Sequence, residues 1–239
     1  VFVATNDTRL LRINADTGEL VWDTVATAQT VEPYGTPGTE TQGFTTEPLV
    51  VHTEGGLNVV VQGESTGGQR GTISYVVAAD ADTGELLWRR FTIPFPGEPG
   101  FETWECDWGC WKTGGAGVWS HGTFDPETNL IFHGTGDAFP TFDPEFRPGD
   151  NLYASSTIAL DADTGDMVWY FQHVPNESWD FDQPSTRMLY DGADGTPTAG
   201  VFTRSGHYYT FDRNDGTFLA AAQWATTVNW TAGIDEKTG

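Results

Sequence analysis

The sequence predicts an all-β chain of the β-propeller class, and three observations carry that prediction. A short turn motif recurs as NADTGELVW at 14–22, DADTGELLW at 80–88, DADTGDMVW at 161–169, the variant DRNDGTFL at 212–219 and DEKTG at 235–239. The first three copies end in tryptophan at the same offset from the turn glycine, as Trp22, Trp88 and Trp169. No long apolar stripe of helical period with caps is present, whereas the copies follow β-rich stretches such as FVATNDTRLLRI, VVVQGESTGGQRGTISYVVAA and GHYYTF.

Each element of a repeat has a local cause. The Asp-x-x-Thr-Gly core makes a tight turn, because Gly tolerates positive φ and the Asp and Thr side chains bond nearby amides. Each copy therefore reads as strand, turn, and strand ending in a large aromatic residue. The turn glycines Gly18, Gly84, Gly165, Gly216 and Gly239 lie 66, 81, 51 and 23 residues apart. Such irregular spacing predicts one four-stranded blade per copy, with long insertions between some of them, or about four to five blades. Trp22, Trp88 and Trp169 are expected to pack between adjacent blades, covering faces that a lone blade cannot bury. A β-sandwich is the alternative architecture, but it gives no reason for a repeated turn with Trp at fixed offset. The first residues already read as a strand and the last as a turn, so the expectation is a partial propeller domain over residues 1–239, cut at both ends.

The chain of 239 residues carries 34 acidic and 11 basic side chains, a formal charge of −23. That balance makes nucleic acid and anionic membrane surfaces poor partners, since both are polyanions. The acid is spread along the chain and Lys112 and Lys237 are the only lysines. This describes a solvated acidic surface, of the kind a high-salt habitat favours, rather than an acidic arm. No run is long enough for a membrane helix, so no membrane insertion is expected in this segment. Two insertions hold the unusual residues. Residues 93–121 carry both cysteines and four tryptophans, and 134–153 is rich in Pro and Asp. Loops this long in a compact domain are usually functional or disordered, and the aromatic content argues against disorder.

The repeats, together with the strings PGEPGFETW, GGAGVW, FDPETNLIFHGTGDAFP, RPGDNLY, SWDFD and VNWTAGID in that order, resemble the eight-bladed quinoprotein alcohol dehydrogenases. These enzymes use pyrroloquinoline quinone (PQQ) and include methanol and ethanol dehydrogenases. The resemblance implies specific roles. Trp119 of GGAGVW resembles the floor beneath the planar quinone, and Arg204 of the TRSG turn the basic residue that bonds the quinone oxygens. Thr45 resembles a threonine that contacts a PQQ carboxylate. Asp180 of SWDFD matches the catalytic aspartate, and Asp182 a second metal-binding Asp found in some members. Asp137 stands where the family usually has a metal-binding Asn, and Glu64, in a segment gapped against the family pattern, is the only carboxylate near its metal-binding Glu.

Hard cations take several oxygen ligands, mostly carboxylates and carbonyls. Glu64, Asp137, Asp180 and Asp182 come from separate insertions, and only a fold converging on a central axis brings them together. Asp180 and Asp182 are two apart, so on an extended segment they share a face and call for a cation. The extra Asp residues point to a trivalent lanthanide, with calcium as the alternative. The implied reaction is oxidation of a small alcohol, with Asp180 as general base, PQQ as hydride acceptor and a cytochrome c-type protein receiving the electrons. A non-catalytic periplasmic scaffold propeller is the competing function, since propellers host many. The family resemblance places the protein in the periplasm. Cys106 and Cys110 lack the C-x-x-C-H haem spacing and favour a small-loop disulfide over free thiols. Trp104, Trp108 and Trp111 either wall a substrate pocket or form a satellite core. The histidines His52, His121, His133, His173 and His207 show no metal-binding spacing, and His121 is the one closest to a site string. Arg147 and Asp150 are expected to pin a loop.

Overall fold

A computed structural model describes residues 1–27, 42–66 and 71–239. Residues 67–70 of the QGESTGGQRG segment fall outside it. Four antiparallel meanders follow one another along the chain. The first has three strands, β1 (Phe2–Ala4), β2 (Arg9–Ile13) and β3 (Leu20–Val25). The second has four, β4 (Leu49–His52), β5 (Asn58–Gly63), β6 (Tyr75–Asp80) and β7 (Leu86–Phe91). The third comprises β8 (Thr123–Asp125), β9 (Leu130–Gly134), β10 (Ser156–Asp161) and β11 (Met167–Gln172). The fourth comprises β12 (Met188–Asp191), β13 (Pro197–Phe202), β14 (His207–Asp212) and β15 (Phe218–Gln223). Helix among the described residues is confined to short 3-10 turns, and none is long and apolar enough to cross a membrane. The first sheet differs from the expected four strands: its three strands among the described residues correspond to the second, third and fourth of the others.

The repeated motif makes the last hairpin of every sheet. Asp80 Oδ1 accepts the amides of Asp82 and Thr83, and Asn14, Asp161 and Asp235 accept the equivalent pairs. The last hairpin of each of the four sheets also shifts register one step before the turn, at Arg12/Ile13, Ala78/Ala79, Ala159/Leu160 and Thr210/Phe211. The fifth copy forms the turn only, at the end of the chain.

Burial follows from the strand period. Along β6, Val76 and Ala78 point into a core shared with the third sheet, and Tyr75, Val77 and Ala79 into one shared with the first. Along β9, Ile131 joins the former, while Leu130 and Phe132 join a core shared with the fourth sheet. An inner strand thus has two apolar faces because it has a sheet on either side. This is blade packing, and the motif tryptophans close it. The indole N–H of Trp22 donates to Ala81 O, that of Trp88 to Ala162 O and that of Trp169 to Arg213 O, each at 3.1 Å. Each indole also lies on the turn glycine of the following copy: a Cβ on Gly84, Gly165 or Gly216 would meet Trp22, Trp88 or Trp169 at 2.8, 2.5 or 2.7 Å. Glycine is therefore required at the turn twice over, for positive φ and for the indole. The variant fourth copy has Ala220 at the tryptophan position, and Phe171 and Phe218 pack on Gly239 instead.

The long insertion builds its own core. Trp104 and Trp111 are buried with Ile73, Ile93, Phe95 and Cys110, which decides for the satellite-core reading at these two positions. Trp108 is exposed and packs on Phe146. Cys106 and Cys110 form the expected disulfide, with Cα atoms 6.0 Å apart. Arg147 is buried and pins the next loop through Pro140 O, Thr141 O and Asn151 Oδ1.

Two stability predictions follow from the seams. Trp169→Ala is expected to cost about 3–5 kcal/mol, as large aromatic truncations do. Gly18 and Gly165 both have positive φ, but nothing lies within 4 Å of a Cβ on Gly18. Gly18→Ala should therefore cost only the backbone penalty of about 1–2 kcal/mol, and Gly165→Ala clearly more; equal costs by urea denaturation would show that the indole contact is soft.

Candidate functional site

Two kinds of loop meet at one end of the blades. Loops after the second strand of a blade, or its equivalent, bring Asn6 (after β1), Ser65 and Thr66 (after β5), Gly136 and Asp137 (after β9) and Arg204 (after β13). Segments leading into a blade's first strand bring Thr45, Gly117 and Trp119, and Asp180 and Asp182. All of these line one cavity of about 910 Å³, with Phe139, Phe142 and Thr141 on the rim.

Backbone bonds between the two kinds of loop fix the ring. Phe44 N donates to Thr5 O, Ser65 N to Gly43 O, Val118 N to Glu64 O, Gly136 N to Gly117 O and Gln183 N to Thr135 O, all at 2.7–3.2 Å. Close approach demands small residues here. A Cβ on Gly136 would lie 2.6 Å from Asp182 Oδ1, and one on Gly134 would lie 1.7 Å from Gln183 O. The chain from Asp180 to Arg187 is also held from below. Arg187 is buried and donates to Gln183 O at 3.0 Å, Ser185 O at 2.7 Å and Thr157 Oγ1 at 2.8 Å. Burial without a carboxylate partner pushes its guanidinium down to about 9.

The centre of the cavity wall is acidic. Asp137, Asp180 and Asp182 each offer a carboxylate oxygen within 4.8 Å of the others. Asp182 Oδ1 accepts the Asp137 amide at 2.9 Å, and Arg204 Nη1 lies 2.7 Å from Asp182 Oδ2 and 3.4 Å from Asp180 Oδ1. Burial and then the Asp137 charge push the Asp182 carboxyl up to about 6. Asp137 is raised chiefly by burial, and Asp180 by burial and then the Asp182 charge, against the pull of Arg204. Asp137 Oδ2 is buried and has no hydrogen-bond partner among the described residues. One arginine cannot satisfy three carboxylates, whereas a hard cation among them would offset the repulsion and fill the open acceptor. The residues present therefore fit a multivalent cation.

Glu64 is placed differently from the sequence expectation. It is fully buried, accepting from Gly43 N and Thr66 N at Oε1 and from Ser74 Oγ at Oε2. Its oxygens are spent on the seam between loops, and it stands outside the acidic trio; Ser65 and Thr66 face the cavity from that loop instead. His121 Nδ1 lies 3.5 Å from Glu47 and does not line the cavity. Trp104, Trp108 and Trp111 do not line it either. Asn6, Phe139 and Phe142 were not singled out from sequence, since lone loop residues carry no spacing signal.

Comparison with known proteins identifies the family of the fold. Residues 1–226 match the PQQ family described as "Glucose/ethanol/alcohol dehydrogenase, beta-propeller domain". The quinoprotein alcohol dehydrogenase PedH of Pseudomonas putida is 34% identical over 99% of this chain and 40% of its own length. The quinohemoprotein alcohol dehydrogenase ADH IIB of Pseudomonas putida is 35% identical over 100% of this chain and 34% of its own length. Among solved structures, a europium-containing methanol dehydrogenase superposes with a TM-score of 0.84 at 29% identity, over 99% of this chain and 42% of that one. The chain thus spans 40% or less of the length of these two curated relatives. By its repeats, its blade packing and these matches, the chain belongs to the PQQ-dependent alcohol dehydrogenase β-propeller family.

Proposed function

We propose that this protein oxidises small alcohols with PQQ and a multivalent cation, and the observation that carries the reading is the trio Asp137, Asp180 and Asp182 lining one cavity together with Trp119 and Arg204. Relatives named as quinoprotein alcohol dehydrogenases support it. Asp137, Asp180 and Asp182 would hold the cation, Trp119 would stack on a planar quinone, and Arg204 and Thr45 would bond its oxygens. Glu64 is left out of the cation set because its oxygens are already bonded. When bound, the quinone and its Lewis-acid cation supply the two-electron acceptor for the hydride of the alcohol carbon.

The chain's own part is proton handling and placement. Asp180 is half-exposed in the cavity, so it can accept the hydroxyl proton of an alcohol entering past Phe142. Arg204 and a cation both favour its ionised form. Three carboxylates demand more positive charge than the arginine gives, which favours a trivalent lanthanide over calcium. We assign a cytochrome c-type electron acceptor by analogy with the quinohemoprotein relatives. A periplasmic location is consistent with the Cys106–Cys110 disulfide.

Asp180→Asn is expected to lower kcat at least about 100-fold in dye-coupled alcohol oxidation while changing stability by less than about 0.5 kcal/mol. Wild-type turnover in that variant would remove the base assignment. In cation-free protein, Asp182 sits at about 6, above the ordinary value of about 3.9. Its contribution to stability is therefore present below about pH 4 and lost as pH rises through about 6. Lanthanum should reverse that loss. The rise in Tm on adding lanthanum is expected to be larger at pH 7.5 than at pH 5, larger than with calcium, and mostly absent in Asp182→Asn. No shift with either ion at pH 7.5 would refute the cation site.

A further inference from the structure

Asp180 holds a left-handed backbone conformation, which aspartate enters more readily than most side chains but still at a cost. Its φ is +65°, in the left-handed region, and the cost of about 1–2 kcal/mol is borne only where neighbouring groups impose it. The amides on either side of it identify the cause. Trp179 N–H donates to Glu177 Oε1, and the Phe181 amide also stabilises that carboxylate. One side chain thus holds the residue before Asp180 by a hydrogen bond and attracts the amide after it electrostatically.

Glu177 is well placed to transmit position. It is 2% exposed, and its carbonyl accepts from Arg147 Nη2. The same guanidinium grips Pro140 O at 3.1 Å and Thr141 O at 2.9 Å, in the loop that begins with Asp137. The carboxylate that bends the chain at Asp180 is therefore tied to the loop that carries another member of the trio. A buried carboxylate here adds negative charge beside three others, a poor choice for mere packing. We propose that Glu177 is the positioning residue of Asp180: by accepting from the backbone around it, Glu177 sets the reach of the Asp180 carboxylate towards the cation and the substrate hydroxyl. This inference rests on the function proposed above.

The test uses the full-length protein, with Tb³⁺ as a luminescent probe of the cation site and dye-coupled alcohol oxidation as the second readout. Glu177→Ala should lower kcat by about 10–100-fold with KM changed less than about threefold, and weaken Tb³⁺ binding by about tenfold. Glu177→Gln keeps an oxygen acceptor at the same place and should restore both to within about threefold. Trp22→Phe, which loosens the seam between the first and second sheets, neither of which carries a member of the trio, should lower Tm yet leave kcat and Tb³⁺ affinity unchanged. The inference is overturned if Glu177→Ala keeps wild-type kcat and Tb³⁺ affinity, if Glu177→Gln is as impaired as Glu177→Ala, or if Trp22→Phe reproduces the losses. A wild-type protein that binds Tb³⁺ but oxidises no alcohol refutes the proposed function alone, and the Tb³⁺ comparison then decides the positioning role. A wild-type protein that does neither refutes both.

Discussion

The contact of one indole with the next turn glycine governs how the blades stand to each other. A three- or four-stranded meander buries too little surface to persist alone, and its inner strands here carry apolar side chains on both faces. The indole covers the edge of one face while its N–H ends on a carbonyl of the following turn, so the neighbouring sheet is fixed in translation as well as in angle. Arg12 and Arg90 add polar bonds at the same seams, to Ala81 O and Asp82 and to Gly165 O and Asp166. Exposed ion pairs of this kind contribute little energy by themselves. Their geometry follows the indole contact rather than creating it.

Because each blade is placed by its predecessor, the loops at one end are forced to converge. Asp137 and Asp182 reach the same spot from different insertions, and a bond from the Asp137 amide to Asp182 makes their meeting part of the fold. Burial first, and then the charge of Asp137, push the Asp182 carboxyl up, so gathering acid here is unfavourable without a cation. The fold absorbs that expense in buried polar anchors: Arg187 beneath the Asp182 side of the chain and Arg147 beneath Glu177. A protein that needed only a scaffold would gain from replacing such groups with apolar ones.

The sequence made much of the site legible and hid some of it. Asp180 and Asp182 stood out because the SWDFD string resembles that of the family, and the structure brings both to Asp137, although Asp180 is left-handed rather than extended. Glu64 lies apart from the trio, and a carboxylate near a gapped segment says nothing about which way it turns. In the structure Gly43, Thr66 and Ser74 supply donors that draw it into the seam. Trp104 and Trp111 were undecided from sequence, since tryptophan suits a pocket wall and a core equally well. What settled them was the supply of apolar neighbours from Ile73, Ile93 and Phe95.

The sequence by itself determined the local structure of each blade: the turn type, the hairpin, the glycine and the aromatic residue four positions on. These depend on φ preference, side-chain capping and strand period, all of which act over a few residues. Only the tertiary structure decided which loop residues share a cavity, which carboxylates meet there and which buried groups bond the chain beside Asp180. Those outcomes depend on the angle between blades and on donors many residues away, and no local pattern encodes a distance across the propeller axis.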